Sequence, residues 1–333
     1  MIYFLAALLG GAIIWFVVEK QKRTSHPVTG GLKSNITLPH EEEFELYGNS
    51  FSHCSRKTRL VMAELGIPYK HKPIDLIETG AYETISPHYL KVNPAGLLPT
   101  LVHHGHPVFE SDDILAYAAS QAPETAPSLV PETEDGKTQM QTWIDRGSIS
   151  SDDPLGSIAQ GAGSCIPGLT MPIFVTAIRY IPLRNILIGL LFHPDKMRPI
   201  FFSAAKVRGL QNMLRTGMVH NLVTNSRDHM VKHLIVFQDH LKQGGPWIMG
   251  DQYTLADVSW SCIFLRLDET GWLDHFFTTH DFEVLEKYYA AVKARPSWQS
   301  AIVEKGHPII DKASIDLKKL ASENETIKKL LYH

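Results

Sequence analysis

Cysteine is scarce in this chain: Cys54, Cys165 and Cys262 are the only three in 333 residues. A set that is odd in number and widely spaced excludes a disulfide framework and offers no zinc-type spacing, so the thiols read as reduced, in a cytosolic-type compartment. Excess charge is missing too. A net charge of -3 gives no global reason to expect nucleic acid or an acidic polymer as partner. Neither a Ser-His-Asp spacing nor a phosphate-binding glycine loop occurs. What remains is ordinary globular composition, 44% hydrophobic and 20% charged, over a length that suggests two domains.

One long hydrophobic run stands at the N-terminus. Ile2 to Val18 carries no charge for 17 residues and has Trp15 and Phe16 near its end. As a helix it would span about 25 Å, just short of a hydrocarbon core of about 30 Å. A cleaved signal peptide would need a basic start and a small-x-small site. Instead the run ends in Trp-Phe-Val-Val, then Glu19, Lys20, Gln21, Lys22 and Arg23. An uncleaved single-pass anchor over 1–23 is therefore the leading expectation, with membrane lipid as a partner and the body on the cytoplasmic side. A signal peptide and a peripheral helix are the alternatives. Residues 24–43 are polar and unpatterned, and read as a flexible linker.

Phe44-Glu45-Leu46-Tyr47 alternates as a short strand, and Leu60, Met62, Ala63 and Leu65 lie at helical spacing before Gly66 and Pro68. A strand from Tyr69 to Leu76 follows, then at best a short helix from Ala81 to Leu90. Leu98 to Val102 and Pro107 to Phe109 flank a turn at His103-His104-Gly105-His106. Ser111 is placed to cap a helix reaching about Gln121. This order gives a small α/β domain over 44–121. The three prolines of 122–133 mark a linker. From 134 to 310 the patterns are helical, with Thr254-Leu255-Ala256-Asp257 in capping-box form. Residues 311–333 read as a solvated helix or frayed tail.

The segment Leu46-Tyr47-Gly48-Asn49-Ser50-Phe51-Ser52-His53-Cys54-Ser55, followed by Thr58-Arg59-Leu60, resembles the first strand and helix of serine-type glutathione S-transferases, especially the zeta and theta classes. Asn93 to Leu101 looks like their cis-proline strand. Glu110-Ser111-Asp112, Thr254 to Asp257 and Ala294-Arg295-Pro296 match further motifs, in order, over about 44–310. The resemblance implies a thioredoxin-like N-terminal domain plus an all-α C-terminal domain, with glutathione as co-substrate and no metal. It assigns Ser52 as donor to the glutathione thiol. A free thiol of pKa near 8.5 is mostly unreactive at neutral pH, and a hydroxyl at a helix N-terminus favours the thiolate. Pro99 is implied as the cis-proline that presents the Leu98 backbone, and Glu110 and Ser111 as the groups holding the γ-glutamyl end.

The same positions have plainer readings. Ser52, Glu110 and Ser111 fit simple capping, and Ser50 and Ser55 compete with Ser52. His53 is an accessory candidate or a loop histidine; Cys54 is a functional thiol or a buried small residue. His103, His104 and His106, without acidic support, read as solvated turn residues rather than a metal site. Leu97 departs from the polar residue that the family often uses near the glycyl carboxylate.

Between about 165 and 215 the helical half is longer than the resemblance requires. Seven Lys or Arg stand there against the single acid Asp195, among many apolar residues, and Pro167, Pro172, Pro182, Pro194 and Pro199 leave no room for a second span. The stretch reads as a lipid-facing or acceptor-covering surface, or as long helices packed on each other. A similar elongation occurs in the ganglioside-induced differentiation-associated relatives of the family, which are weak or uncertain enzymes. The leading function is thus glutathione transfer to a hydrophobic electrophile by conjugation, isomerisation or reductive removal. The alternative is a membrane-bound scaffold that kept the fold without the chemistry. A homodimer is a further partner brought in by the resemblance.

Overall fold

A computed structural model describes residues 1–149, 157–215 and 217–332. Helix α1 (Ile2–Lys22) is apolar around its whole circumference and exposed along almost its whole length. Near its C-terminal end it meets the body at Phe192. After it, β1 (Gly31–Leu32), β2 (Phe44–Gly48), α2 (His53–Glu64), β3 (Lys70–Pro73), β4 (Thr100–His103), β5 (His106–Phe109) and α3 (Ser111–Ser120) form the first domain. The sheet runs β1-β5-β4-β2-β3, parallel between β2 and β3 and antiparallel elsewhere. β2 is an interior strand, paired with β4 on one side and β3 on the other, and all of its residues are buried although its sequence alternates.

Three expectations change here. Residues 24–43 are not a loose tether. The His26 amide donates to the Pro94 carbonyl at 2.7 Å, Gly31 and Leu32 pair with Phe109 and Val108, and Leu38 N–H donates to Gly105 O at 2.7 Å. The segment covers β5, which would otherwise be an unpaired edge, a need that polarity and lack of period do not reveal. Residues 81–90 form two single-turn helices, Glu83–Ile85 and Tyr89–Lys91, because Pro87 interrupts any longer one. Ser111 does not cap α3 but is its first residue; the cap position belongs to Glu110, held at φ 63°. The histidine turn forms as expected, with His104 and Gly105 both at positive φ, as a tight antiparallel turn requires.

The second domain is helical: α4 (Glu134–Gly147), α5 (Ile166–Ala177), α6 (Leu183–Phe192), α7 (Met197–Leu214), α8 (Gly217–Gly244), α9 (Leu255–Glu269), α10 (Trp272–Thr279), α11 (Glu283–Lys293), α12 (Pro296–Ala301), α13 (Pro308–Glu323) and α14 (Glu325–Tyr332). The capping box at α9 is present, and its Asp257 also accepts from the Ile248 amide at 3.0 Å and from Tyr288 Oη at 3.1 Å. The stretch 165–215 makes α5 to α7, and their inner faces (Leu169, Ile173, Ile186, Phe202) join the main core. The last residues are not a frayed tail. α13 and α14 bury Ile310, Leu317, Ile327 and Leu331 against α5, α7 and α8, since their apolar spacing is helical and their charges face outward.

Buried cations join the domains. Arg56 on α2 forms a two-pronged bond with Glu269, at 2.7 and 2.5 Å, and Arg266 donates to the Phe51 carbonyl. Arg59 reaches Ala301 O at 2.9 Å, and Arg295 grips Glu64 at 2.6 Å twice. The arginine fork supplies bonds that lysine could not match in number or plane.

Candidate active site

The C-terminal end of β2, the N-terminus of α2, the start of β4 and the start of α3 meet at one edge of the sheet. Ser52 is the N-cap of α2, with φ −60° and ψ 122°, and its Oγ accepts from the Ser55 amide at 3.2 Å. That bond uses an oxygen lone pair, and among the described residues the O–H donates to no protein group. Of its rivals, Ser55 is fully buried, and its Oγ accepts from the Asn49 amide at 3.2 Å. Ser50 contributes its carbonyl to Arg56 Nε at 2.8 Å. Ser52 is thus a partly exposed hydroxyl on the helix axis, and Ser55 is not.

The Leu98–Pro99 peptide bond is cis, at the position expected. Leu98 precedes the last ladder pair of β4, Tyr47 with Thr100, so its backbone lies outside the sheet's own hydrogen bonding. The loop before it is fixed from below: Tyr89 Oη donates to Leu97 O at 2.5 Å, and Asn93 Nδ2 to the same oxygen at 3.0 Å. Leu97 itself is 53% exposed and brings no polar group to this end of the edge. Ser111 is buried, Glu110 exposed.

Positive charge surrounds the α2 N-terminus. Lys57, with 1% of its side chain exposed, pairs with Asp112 at 2.5 Å and donates to Ser148 Oγ at 3.2 Å. His53 is buried, and its ring nitrogens make no hydrogen bond within ordinary geometry. Burial, then the Lys57, Arg266 and Arg56 charges, hold its pKa well below the usual histidine value, so it is a neutral ring and no proton carrier near neutral pH. Cys54 is partly buried. Burial pushes its thiol up, opposed by Lys57 and by a hydrogen bond to Ser111, so the thiol form prevails. Beside this edge opens a cavity of about 890 Å³, reached by Glu110 and Asp112 and walled by Trp143, Arg146, Ser148 and Gln160.

Sequence models of the glutathione S-transferase N-terminal domain and C-terminal domain match residues 51–121 and 221–291. The chain carries the two domains of the glutathione S-transferase fold. Its curated relatives include the tetrachloro-p-hydroquinone reductive dehalogenase of Sphingobium chlorophenolicum, 24% identical over 272 residues, which are 78% of this chain and 96% of that protein. Glutathione S-transferase F9 of Arabidopsis thaliana is 21% identical over 79% of this chain and 98% of its own length. A beta-etherase from Sphingobium sp. superposes with a TM-score of 0.63 at 18% identity, over 79% of this chain and all of that structure.

Within the transferase fold, Ser52, His53, Cys54, Leu98, Pro99, Glu110 and Ser111 all fall at this one edge. The cations Arg56, Lys57 and Arg266 were missed in sequence reasoning. Their charges look like a solvated helix face until packing buries them. The only signal was a run of Arg56, Lys57 and Arg59 on a helix with few other charges.

Proposed function

We propose that this chain is a glutathione transferase acting on a hydrophobic electrophile, and that it works attached to a membrane through α1. The observation that carries the catalytic reading is the convergence of a helix-capping hydroxyl, Ser52, and the cis Leu98–Pro99 bond at one end of the sheet. Glutathione would supply the thiol. Ser52 would donate a hydrogen bond from its hydroxyl to the thiolate sulfur, with the α2 amides adding positive potential. The Leu98 backbone would pair with the cysteinyl unit as an added strand. Ser111 and the α3 amides would hold the γ-glutamyl carboxylate, and Glu110 its ammonium group.

The test combines calorimetry with glutathione at millimolar concentration and thiol conjugation to an aromatic electrophile. Absence of glutathione binding by the folded chain would sink the reading.

The attachment rests on α1. It is exposed over most of its described length and meets the body near its C-terminal end, where Trp15 and Phe16 sit against Phe192 of α6, with Arg23 above the same ring. Next to that contact α6 exposes Leu183, Leu187, Ile188 and Leu191, with Arg184 and Lys196 alongside. An apolar face rimmed by cations and continuous with an exposed apolar helix suits a lipid surface. Co-flotation with anionic vesicles checks it: the full chain should float, and a variant lacking 1–23 should bind weakly and release with salt.

A further inference from the structure

Glu43, His103 and His104 meet at the turn between β4 and β5, at the end of β4 away from Pro99. The acid was hidden in the sequence because it lies one strand away. The register that pairs Phe44 with His103 lays Glu43 beside the turn, and the His104 amide donates to the Glu43 carbonyl at 2.9 Å. Glu43 Oε1 stands 3.5 Å from His103 Nε2 and 3.7 Å from His104 Nε2, with the three atoms all within 4.8 Å of one another. These separations are long for hydrogen bonds. They come close to the spacing of about 3.3 Å that tetrahedral coordination at about 2.0–2.1 Å sets between ligand atoms.

The His103 ring is held as a metal-ligating imidazole is held. It stacks on Phe44 with centroids 4.0 Å apart, and its Nδ1 lies 2.7 Å from Tyr117 Oη. An Nδ1–H donated to that oxygen leaves the Nε2 lone pair facing Glu43, where Nε2 is buried and makes no hydrogen bond.

We propose that Glu43, His103 and His104 bind a divalent transition ion of the zinc class, with Tyr117 as the positioning residue of His103. Two imidazoles and one carboxylate suit zinc, nickel or copper rather than magnesium or calcium, and leave a fourth position for water. The ion would clip the start of β2 to the β4–β5 turn. It would sit about 13 Å from the cis-proline, four strand residues at about 3.3 Å each, so conjugation is not expected to depend on it.

The experiment uses the full chain without a histidine tag, stripped with chelator and titrated calorimetrically with zinc chloride and separately with magnesium chloride. One zinc ion per chain and no magnesium is the expected result, with a rise in melting temperature on adding zinc. Glu43→Gln and His104→Asn alter exposed groups, and asparagine tolerates the positive φ of 48° at 104. Each should weaken zinc binding by about tenfold or more, and the pair should abolish the thermal shift. Tyr117→Phe should weaken binding by about tenfold while keeping the stoichiometry. No zinc binding by the parent chain, equal binding of magnesium, or undiminished affinity in the Glu43→Gln/His104→Asn pair would overturn the assignment.

Discussion

Replacing Ser52 tests the proposed chemistry most directly, provided that capping and thiol activation are separated. Ser52 Oγ already accepts from the Ser55 amide at 3.2 Å, so Ser52→Ala removes a helix cap as well as a hydroxyl donor. Loss of the cap costs about 0.5–2 kcal/mol of stability. Loss of a hydrogen bond to a charged sulfur costs about 1.5–3 kcal/mol of thiolate stabilisation, which is roughly a ten- to hundredfold change. The thiol of bound glutathione should then titrate about one to two pH units higher in the alanine variant. Ser52→Thr restores both hydroxyl and cap. Ser52→Asn restores the acceptor for the Ser55 amide and lacks the hydroxyl. The assay is the pH profile of kcat/KM for conjugation, with urea unfolding run in parallel. Alanine should shift the acidic limb upward, threonine should stay close to wild type, and asparagine should recover the stability that alanine loses. Conjugation in Ser52→Ala within about twofold of the parent, at an unchanged limb, would refute the role of the hydroxyl.

Removing Asp112 as Asp112→Ala leaves the buried Lys57 ammonium without its carboxylate, which should destabilise the chain by about 3–5 kcal/mol in urea unfolding. Asp257→Ala strands the Thr254 and Ile248 amides and Tyr288 Oη at the α9 cap; a loss of about 3 kcal/mol or more is expected, read from the same assay. Because burial raises the Cys54 thiol, its alkylation by iodoacetamide in Cys165→Ala/Cys262→Ala protein should be slow at pH 7 and still rising above pH 9. Rapid alkylation that is flat with pH would show a thiolate instead. His53 lies well below its usual pKa and His71 at about 4, both through burial first. Below about pH 6.5 the unfolded chain therefore takes up protons that the folded chain refuses. Stability should fall as pH drops from about 6.5 toward 4, as measured by melting temperature, and His53→Gln should flatten part of that slope.

Local rules made the elements around the site legible. Ser52 ahead of a helical spacing, Pro99 before an apolar strand and the Thr254–Asp257 box each carry their own short-range signal, and each element formed. What stayed hidden depends on contacts far apart in sequence. The pairing of residues 31–32 with β5 answers an edge that only the folded sheet has. Glu43 joins His103 through strand register, not spacing. The charges of Arg56, Lys57 and Arg59 could not be told from a solvated face until α9 and α12 covered them.

The packed-helix reading of residues 165–215 holds for one side of α6, and the other side of that helix is apolar and exposed. Ile186 and Phe192 of α6 are buried, while Leu183, Leu187, Ile188 and Leu191 of the same helix are exposed. An exposed apolar face on a ten-residue helix is the kind of surface that lipid or another protein covers. Phe192 is also where Trp15, Phe16 and Arg23 make contact, so the exposed face begins where α1 leaves the body. The inner face supports the fold, and the proposed attachment would use the outer face. Polar substitution can therefore separate them: Leu187→Gln/Leu191→Gln should leave melting temperature within about 1 °C, since neither side chain is in the core, yet lower vesicle binding of protein lacking residues 1–23. A drop in stability with unchanged vesicle binding would instead make the outer face part of the fold.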